Sequence, residues 1–123
     1  MTKGQAIQKF WESFGIPAYA ETTVPDDAPF PYITYQVHTG SLEDLCIVNA
    51  TIWYRSYSWE EISEKVDEIS KAIAKMNPPS VKIDGGRLYI TKGSPFAQEV
   101  RDESDDAIRG YLLNINYEFL TEY

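Results

Sequence analysis

One cysteine, Cys46, and one histidine, His38, stand in this chain of 123 residues. A lone cysteine forms no internal disulfide, and Ser-His-Asp or Cys-His catalysis would have to pass through the one imidazole. No group of His and Cys has zinc-ligand spacing, and no glycine-rich loop leads into a helix as a phosphate cradle does. Basic residues are scarce as well, with 11 Lys and Arg against 19 Asp and Glu and a net charge of −8. General binding to a nucleic-acid backbone, which needs a basic surface, is not expected. No run approaches the roughly 18 apolar residues of a membrane span. The opening Met-Thr-Lys-Gly-Gln lacks the apolar stretch of a signal peptide, so a cytosolic domain is expected.

The chain is nonetheless rich in core formers, with 43% hydrophobic and 14% aromatic residues. This length and composition predict one folded domain over residues 1–123, large enough to need no disulfide or metal staple. Ile7, Phe10, Trp11 and Phe14 recur at the spacing of one helical face and predict a helix from about Thr2 to Phe14. Thr2 with Gln5 reads as its capping box, and Gly15 with Pro17 stops it. A connector from Ile16 to Pro31 carries Pro17, Pro25, Pro29 and Pro31, too much proline for a central strand. Strands follow at about Tyr32 to His38 and Leu45 to Tyr57, joined by a hairpin loop.

Ser58-Trp59-Glu60-Glu61 reads as a second capping box. Behind it Ile62, Val66, Ile69, Ile73 and Met76 form one apolar stripe, ended by Asn77-Pro78-Pro79, so a helix is expected from about 59 to 76. Val81 to Ile83 and Arg87 to Lys92 flank the tight turn Asp84-Gly85-Gly86, where glycine supplies positive φ. A short strand at Phe96 to Arg101 is optional, and a long one runs from Ile108 to Leu120. The order α-β-β-α-β-β-(β)-β predicts an α+β fold, two helices packed on one face of a mostly antiparallel sheet.

Period-two reading then separates the sheet faces. Ile33, Tyr35 and Val37, then Cys46, Val48, Ala50, Ile52 and Tyr54, then Tyr111, Leu113, Ile115, Tyr117 and Phe119 form the core side. The other face carries Tyr32, Thr34, Gln36 and His38, then Asn49, Thr51, Trp53, Arg55 and Tyr57, then Leu112, Asn114, Asn116 and Glu118. Only Arg55 and Glu118 are charged there, in a chain that is 24% charged. Loss of charge with retention of Trp, Tyr and Arg is the composition of a protein interface, although Thr and Asn also serve a free strand face. The candidate oligomer interface is therefore Tyr32, Thr34, Gln36, Asn49, Thr51, Trp53, Arg55, Tyr57, Asn114 and Asn116.

Two acidic features remain. Asp102, Glu103, Asp105 and Asp106 lack the glycine and distal glutamate of a calcium loop, so a solvated loop is expected and no metal or other cofactor. Between Lys9 and Arg55 there is no Lys or Arg, whereas Glu12, Glu21, Asp26, Asp27, Glu43 and Asp44 fall there. These predict an acidic connector and loop together at one end of the molecule.

The layout resembles the tail terminator, or tail completion, proteins of tailed bacteriophages and prophages, and the related small head-tail joining proteins. The resemblance rests on Phe14-Gly15-Ile16-Pro17, on Pro29-Phe30-Pro31-Tyr32-Ile33-Thr34-Tyr35, and on Thr51-Ile52-Trp53-Tyr54-Arg55-Ser56 running into the helix Ser58 to Met76. It implies a structural protein and not an enzyme: a hexameric ring of identical subunits that caps the tail tube and meets the head connector, assembled in the host bacterial cytoplasm and kept in the virion. In such a ring the acidic run from Asp102 to Asp106 either lines the lumen or docks a basic neighbour. Two other classes stay open. One is a small ligand-binding or enzymatic domain with a pocket near His38, Tyr35 and Trp53; the other is a monomeric adaptor that recognises a basic partner through the acidic connector.

Overall fold

The computed structural model describes residues 1–42, 44–76 and 79–123. Its elements are α1 (Lys3–Glu12), β1 (Ala18–Ala20), β2 (Tyr32–Tyr35), β3 (Leu45–Arg55), α2 (Glu60–Lys75), β4 (Ser80–Ile83), β5 (Gly86–Arg101) and β6 (Ile108–Thr121). They form an α+β domain whose sheet has the order β1-β2-β3-β6-β5-β4. Every pairing is antiparallel except the parallel β1–β2 pair.

α1 begins as the sequence predicts. Thr2 Oγ1 accepts the Gln5 N–H at 3.2 Å, and Gln5 Oε1 accepts the Thr2 N–H at 2.9 Å, so two otherwise orphaned donors are satisfied reciprocally. Ala6, Ile7, Phe10 and Trp11 turn inward. The helix touches both β1 and β4, the two edges of the sheet, so the sheet curls around it. Trp11 Nε1 donates to Tyr117 Oη at 2.8 Å in the core, and the indole stacks on Tyr35 with centroids 6.5 Å apart. Burial pushes the Tyr117 phenol up from its ordinary pKa.

α2 starts differently. Trp59 is its N-cap and makes no side-chain capping bond, so the expected box between Ser58 and Glu61 does not form. Ser58 Oγ instead accepts the Glu60 N–H at 3.1 Å from just outside the helix. The Trp59 ring packs edge-on against Tyr111 at 5.7 Å and lies under the Arg109 guanidinium at 5.3 Å. Ile62, Val66, Ile69 and Ile73 are buried as expected. Of the expected terminator, Asn77 and Pro78 lie outside the described residues.

Two strand expectations need correction. β1 lies inside the proline-rich connector, which the expected element order leaves without a strand; it is an edge strand, so the exclusion of a central strand there stands. An edge strand tolerates proline because the residue keeps its carbonyl, and Pro17 C=O accepts the Ile33 N–H at 2.8 Å. The optional strand at 96–101 is the far half of β5. It is displaced by an irregularity between Lys92 and Ala97 that opposes Ile115 and Leu113, and Asn114 Nδ2 closes it on Pro95 C=O at 2.8 Å. The tight turn stands as expected, with Gly85 at φ 83°. β2 ends at Tyr35, so Val37 is not core but 50% exposed and His38 lies beyond the strand, also exposed. Cys46 and Tyr111 are partly buried against the core, and Met76 is partly buried as well.

Replacing Tyr117 with Phe should leave the Trp11 indole N–H buried without an acceptor. A loss of about 1–3 kcal/mol is expected, read as a lower urea midpoint at unchanged m. An unchanged midpoint would show that the hydrogen bond contributes nothing net.

Candidate assembly surface

The outer face of the sheet assembles the residues that the alternation predicts. Across the ladders Tyr32 opposes Trp53, Thr34 opposes Thr51, Asn49 opposes Asn114 and Ile47 opposes Asn116. Trp53 Nε1 donates to Thr34 Oγ1 at 3.3 Å. Gln36 lies beside Asn49, whose N–H donates to Gln36 Oε1 at 2.9 Å. Arg55 ends β3, and Tyr57 lies past it at 76% exposure. Asn114 is committed to the β5 irregularity described above.

This face has two unlike halves. At the Arg55 end the aromatic side chains are packed within their own chain. Phe30 and Tyr19 approach Tyr32 at 5.1 and 6.0 Å, and Arg55 lies over Phe30 at 4.8 Å. The Trp53 ring rests on Gly110, where an added Cβ would come within 2.9 Å of it; glycine is needed for that approach. Burial first, then the charges of Asp102 and Tyr19, push the Tyr32 phenol up.

At the Leu45 end the face is aliphatic and open, with Leu45 59% and Ile47 75% exposed. The Leu42 N–H donates to Thr121 C=O at 3.0 Å, which sets Leu42 beside Leu120, and both are exposed. From the sequence the outer face of this strand was expected only from Asn49 onward. The same parity runs back through Ile47 to Leu45, so the signal for both residues was present in the alternation.

The acidic run closes on itself between β5 and β6. Asp102 Oδ1 accepts from Ser104 N–H at 2.8 Å and Ser104 Oγ–H at 2.6 Å, and the side-chain bond leads in holding this carboxyl below its ordinary pKa. Asp105 pairs with Arg55 at 3.0 Å and Asp106 with Arg101 at 3.4 Å. Arg109 reaches Tyr57 C=O at 3.3 Å and also Asp106 C=O. Glu103 is exposed. Two of the four carboxylates are thus balanced by arginines of the same chain. Those pairs are solvent-exposed and weak, so they order the loop more than they stabilise the fold.

One expected juxtaposition does not occur. Tyr35 is buried on the inner face and Trp53 lies on the outer one, so no pocket unites them with His38. Of the acidic connector, the Glu21 N–H donates to Tyr35 C=O at 2.9 Å, at the end of β2 that leads into the loop, whereas Phe30 further along it lies by Arg55, and Asp44 precedes Leu45 at the other end of β3. Glu43 is outside the described residues. Among the described residues no group of three His, Cys, Asp or Glu could hold a metal ion, and no helix is long and apolar enough to cross a membrane.

The inner side holds one more feature. A cavity of about 340 Å³ lies between α1 and α2, lined by Ala6, Phe10, Phe14, Ala72 and Met76, with the exposed Lys9 at its wall. Lys65 Nζ donates to Phe14 C=O at 3.0 Å and ties the two helices together near Phe14. No protein-family model and no curated protein matches the chain.

Ser104→Ala should raise the Asp102 pKa toward the ordinary aspartate value, as read by NMR titration of the carboxyl. Because the folded value is the lower one, its stabilisation is present above the unfolded pKa and is lost as pH falls through the folded one. The variant should therefore show a shallower fall in stability on acidification below about pH 4. An unmoved titration would rule out Ser104 as the cause.

Proposed function

We propose that this chain is a ring-forming structural subunit of a tailed phage or prophage, one that caps the tail tube and joins it to the head connector. The observation that carries the reading is the outer sheet face, poor in charge and bearing Leu45 and Ile47 exposed to solvent. Soluble monomers seldom leave neighbouring large aliphatics open on a regular face, and such patches mark association surfaces. The partners in this reading are copies of the chain itself, the tail-tube protein and the connector, with neither cofactor nor specific nucleic-acid binding required. Synthesis and assembly belong to the host bacterial cytoplasm, and the finished ring to the virion.

The half-buried aromatic end refines which residues to test. Trp53 is packed on Gly110, so Trp53→Glu would disturb the fold as well as an interface. Tyr57 is a cleaner probe because it is exposed. Light scattering over a concentration series, with and without growing tail tubes, should give a rising mass with one plateau and tubes whose growth stops when the chain is added. Tyr57→Glu should keep its circular dichroism and leave this behaviour intact if Tyr57 lies off the ring contacts, or weaken it if the Arg55 end is shared. A chain that stays monomeric throughout and never arrests a tube would overturn the reading.

A further inference from the structure

We propose that copies of this chain associate head to tail, the aliphatic strip on the outer sheet face of one copy seating in the α1–α2 cavity of the next. The proposal rests on the ring reading above and specifies its contact.

The strip is contiguous. Leu45 opposes Glu118 and Ile47 opposes Asn116 across the β3–β6 ladder, and the Leu42 bond to Thr121 adds Leu42 and Leu120 at its end. The cavity is its physical complement, a concave apolar site walled by Phe10, Phe14, Ala72 and Met76. The two features lie on opposite layers of one subunit, so neither can cover the other within a chain. A two-fold dimer that sets strip on strip leaves both cavities open, and one that sets cavity on cavity leaves both strips in water. Only a heterologous contact covers both, and repetition of such a contact generates a ring or a filament.

Charge favours the same pairing. Glu118 lies on the strip opposite Leu45, and Arg87, opposite Leu120 at its far end, is bound to Ser80 Oγ, whereas Lys9 lines the cavity and Lys75 follows Ala72 in the last turn of α2. Strip against strip would also set Glu118 near its own copy, in a chain of net charge −8. Exposed pairs of this kind add little affinity, but they select the partner and its orientation.

The test uses the full chain with two substitutions that each disable one half. Ile47→Asp spoils the strip at an exposed position, and Ala72→Arg fills the cavity. Each alone should weaken assembly by roughly tenfold or more, with unchanged circular dichroism. Mixed in equal amounts the two variants should form dimers and nothing larger, because only one intact strip and one intact cavity remain between two chains. Should Ala72→Arg misfold, the exposed pair Lys9→Glu and Glu118→Lys replaces it: each should weaken assembly, and both on one chain should restore it. Anilinonaphthalene sulfonate, an amphiphilic anion that fluoresces in apolar sites, should light up with monomeric Ile47→Asp and be excluded from the assembled wild type. Equal dye binding by both would leave the cavity to a small ligand and overturn the contact. If the wild type assembles and cavity variants assemble equally well, the contact is wrong and the ring reading stands. A wild type that never assembles, even on tail tubes, overturns both.

Discussion

The hydrogen bond from the Trp11 indole to the Tyr117 phenol joins the first helix to the last strand across 106 positions of sequence. Around it lie Phe10, Phe14 and Tyr35, with Trp11 in contact with all three rings. A buried indole N–H without an acceptor is costly, so the bond fixes the depth and rotation of α1 where aliphatic packing alone would tolerate sliding. With α1 held there, both sheet edges close on it, and the Met1 C=O accepts the Asp84 N–H at 2.7 Å from the turn after β4. The curl of the sheet is thus set by one helix whose position one polar contact specifies.

That arrangement decides which surfaces remain uncovered. α1 reaches the two edges while α2 packs over β3, β5 and β6, so the helices diverge enough to leave an apolar cavity between them. Among the described residues no helix crosses to the other side of the sheet. The outer face keeps its own cover only at the Arg55 end, where the connector returns Phe30 against Tyr32. Toward Leu45 the same face is bare because the connector has already turned into β2. Surface chemistry here follows from the path of the backbone: the chain has one connector long enough to cover one half of a sheet face.

Much of this was legible in the residues. Helical stripes at Ile7, Phe10, Trp11 and Phe14, and at Ile62, Val66, Ile69 and Ile73, name the buried side chains directly, since burial follows a 3.6-residue period there. Alternation does the same for Val48 to Tyr54 and Leu113 to Phe119. What escaped was decided by partners distant in sequence. Ala18–Ala20 is a strand only because β2 lies beside it, and Gly93-Ser94-Pro95 stays within β5 because Asn114 anchors its irregularity. The Ser58 box failed through packing of Trp59 against Tyr111 and Arg109. The acidic run looked like free charge because Arg55, Arg101 and Arg109 converge on it only in three dimensions.

The net charge of −8 bears on how such a subunit would assemble. Repulsion between whole molecules is screened beyond about 8 Å at physiological ionic strength, whereas apolar burial acts only at contact. Approach is therefore opposed, and docking is rewarded only once the aliphatic strip reaches its seat. A contact with these two ranges keeps free subunits apart when dilute and responds steeply to anything that holds them side by side, as the end of a tail tube would. Asp105 and Asp106 add little to that barrier, because Arg55 and Arg101 of the same chain already pair with them. The opposing charge comes instead from exposed carboxylates such as Glu118, beside Leu45 in the strip itself. In the proposed ring the same residues that slow random association would thus admit only a neighbour offering Lys9 and Lys75.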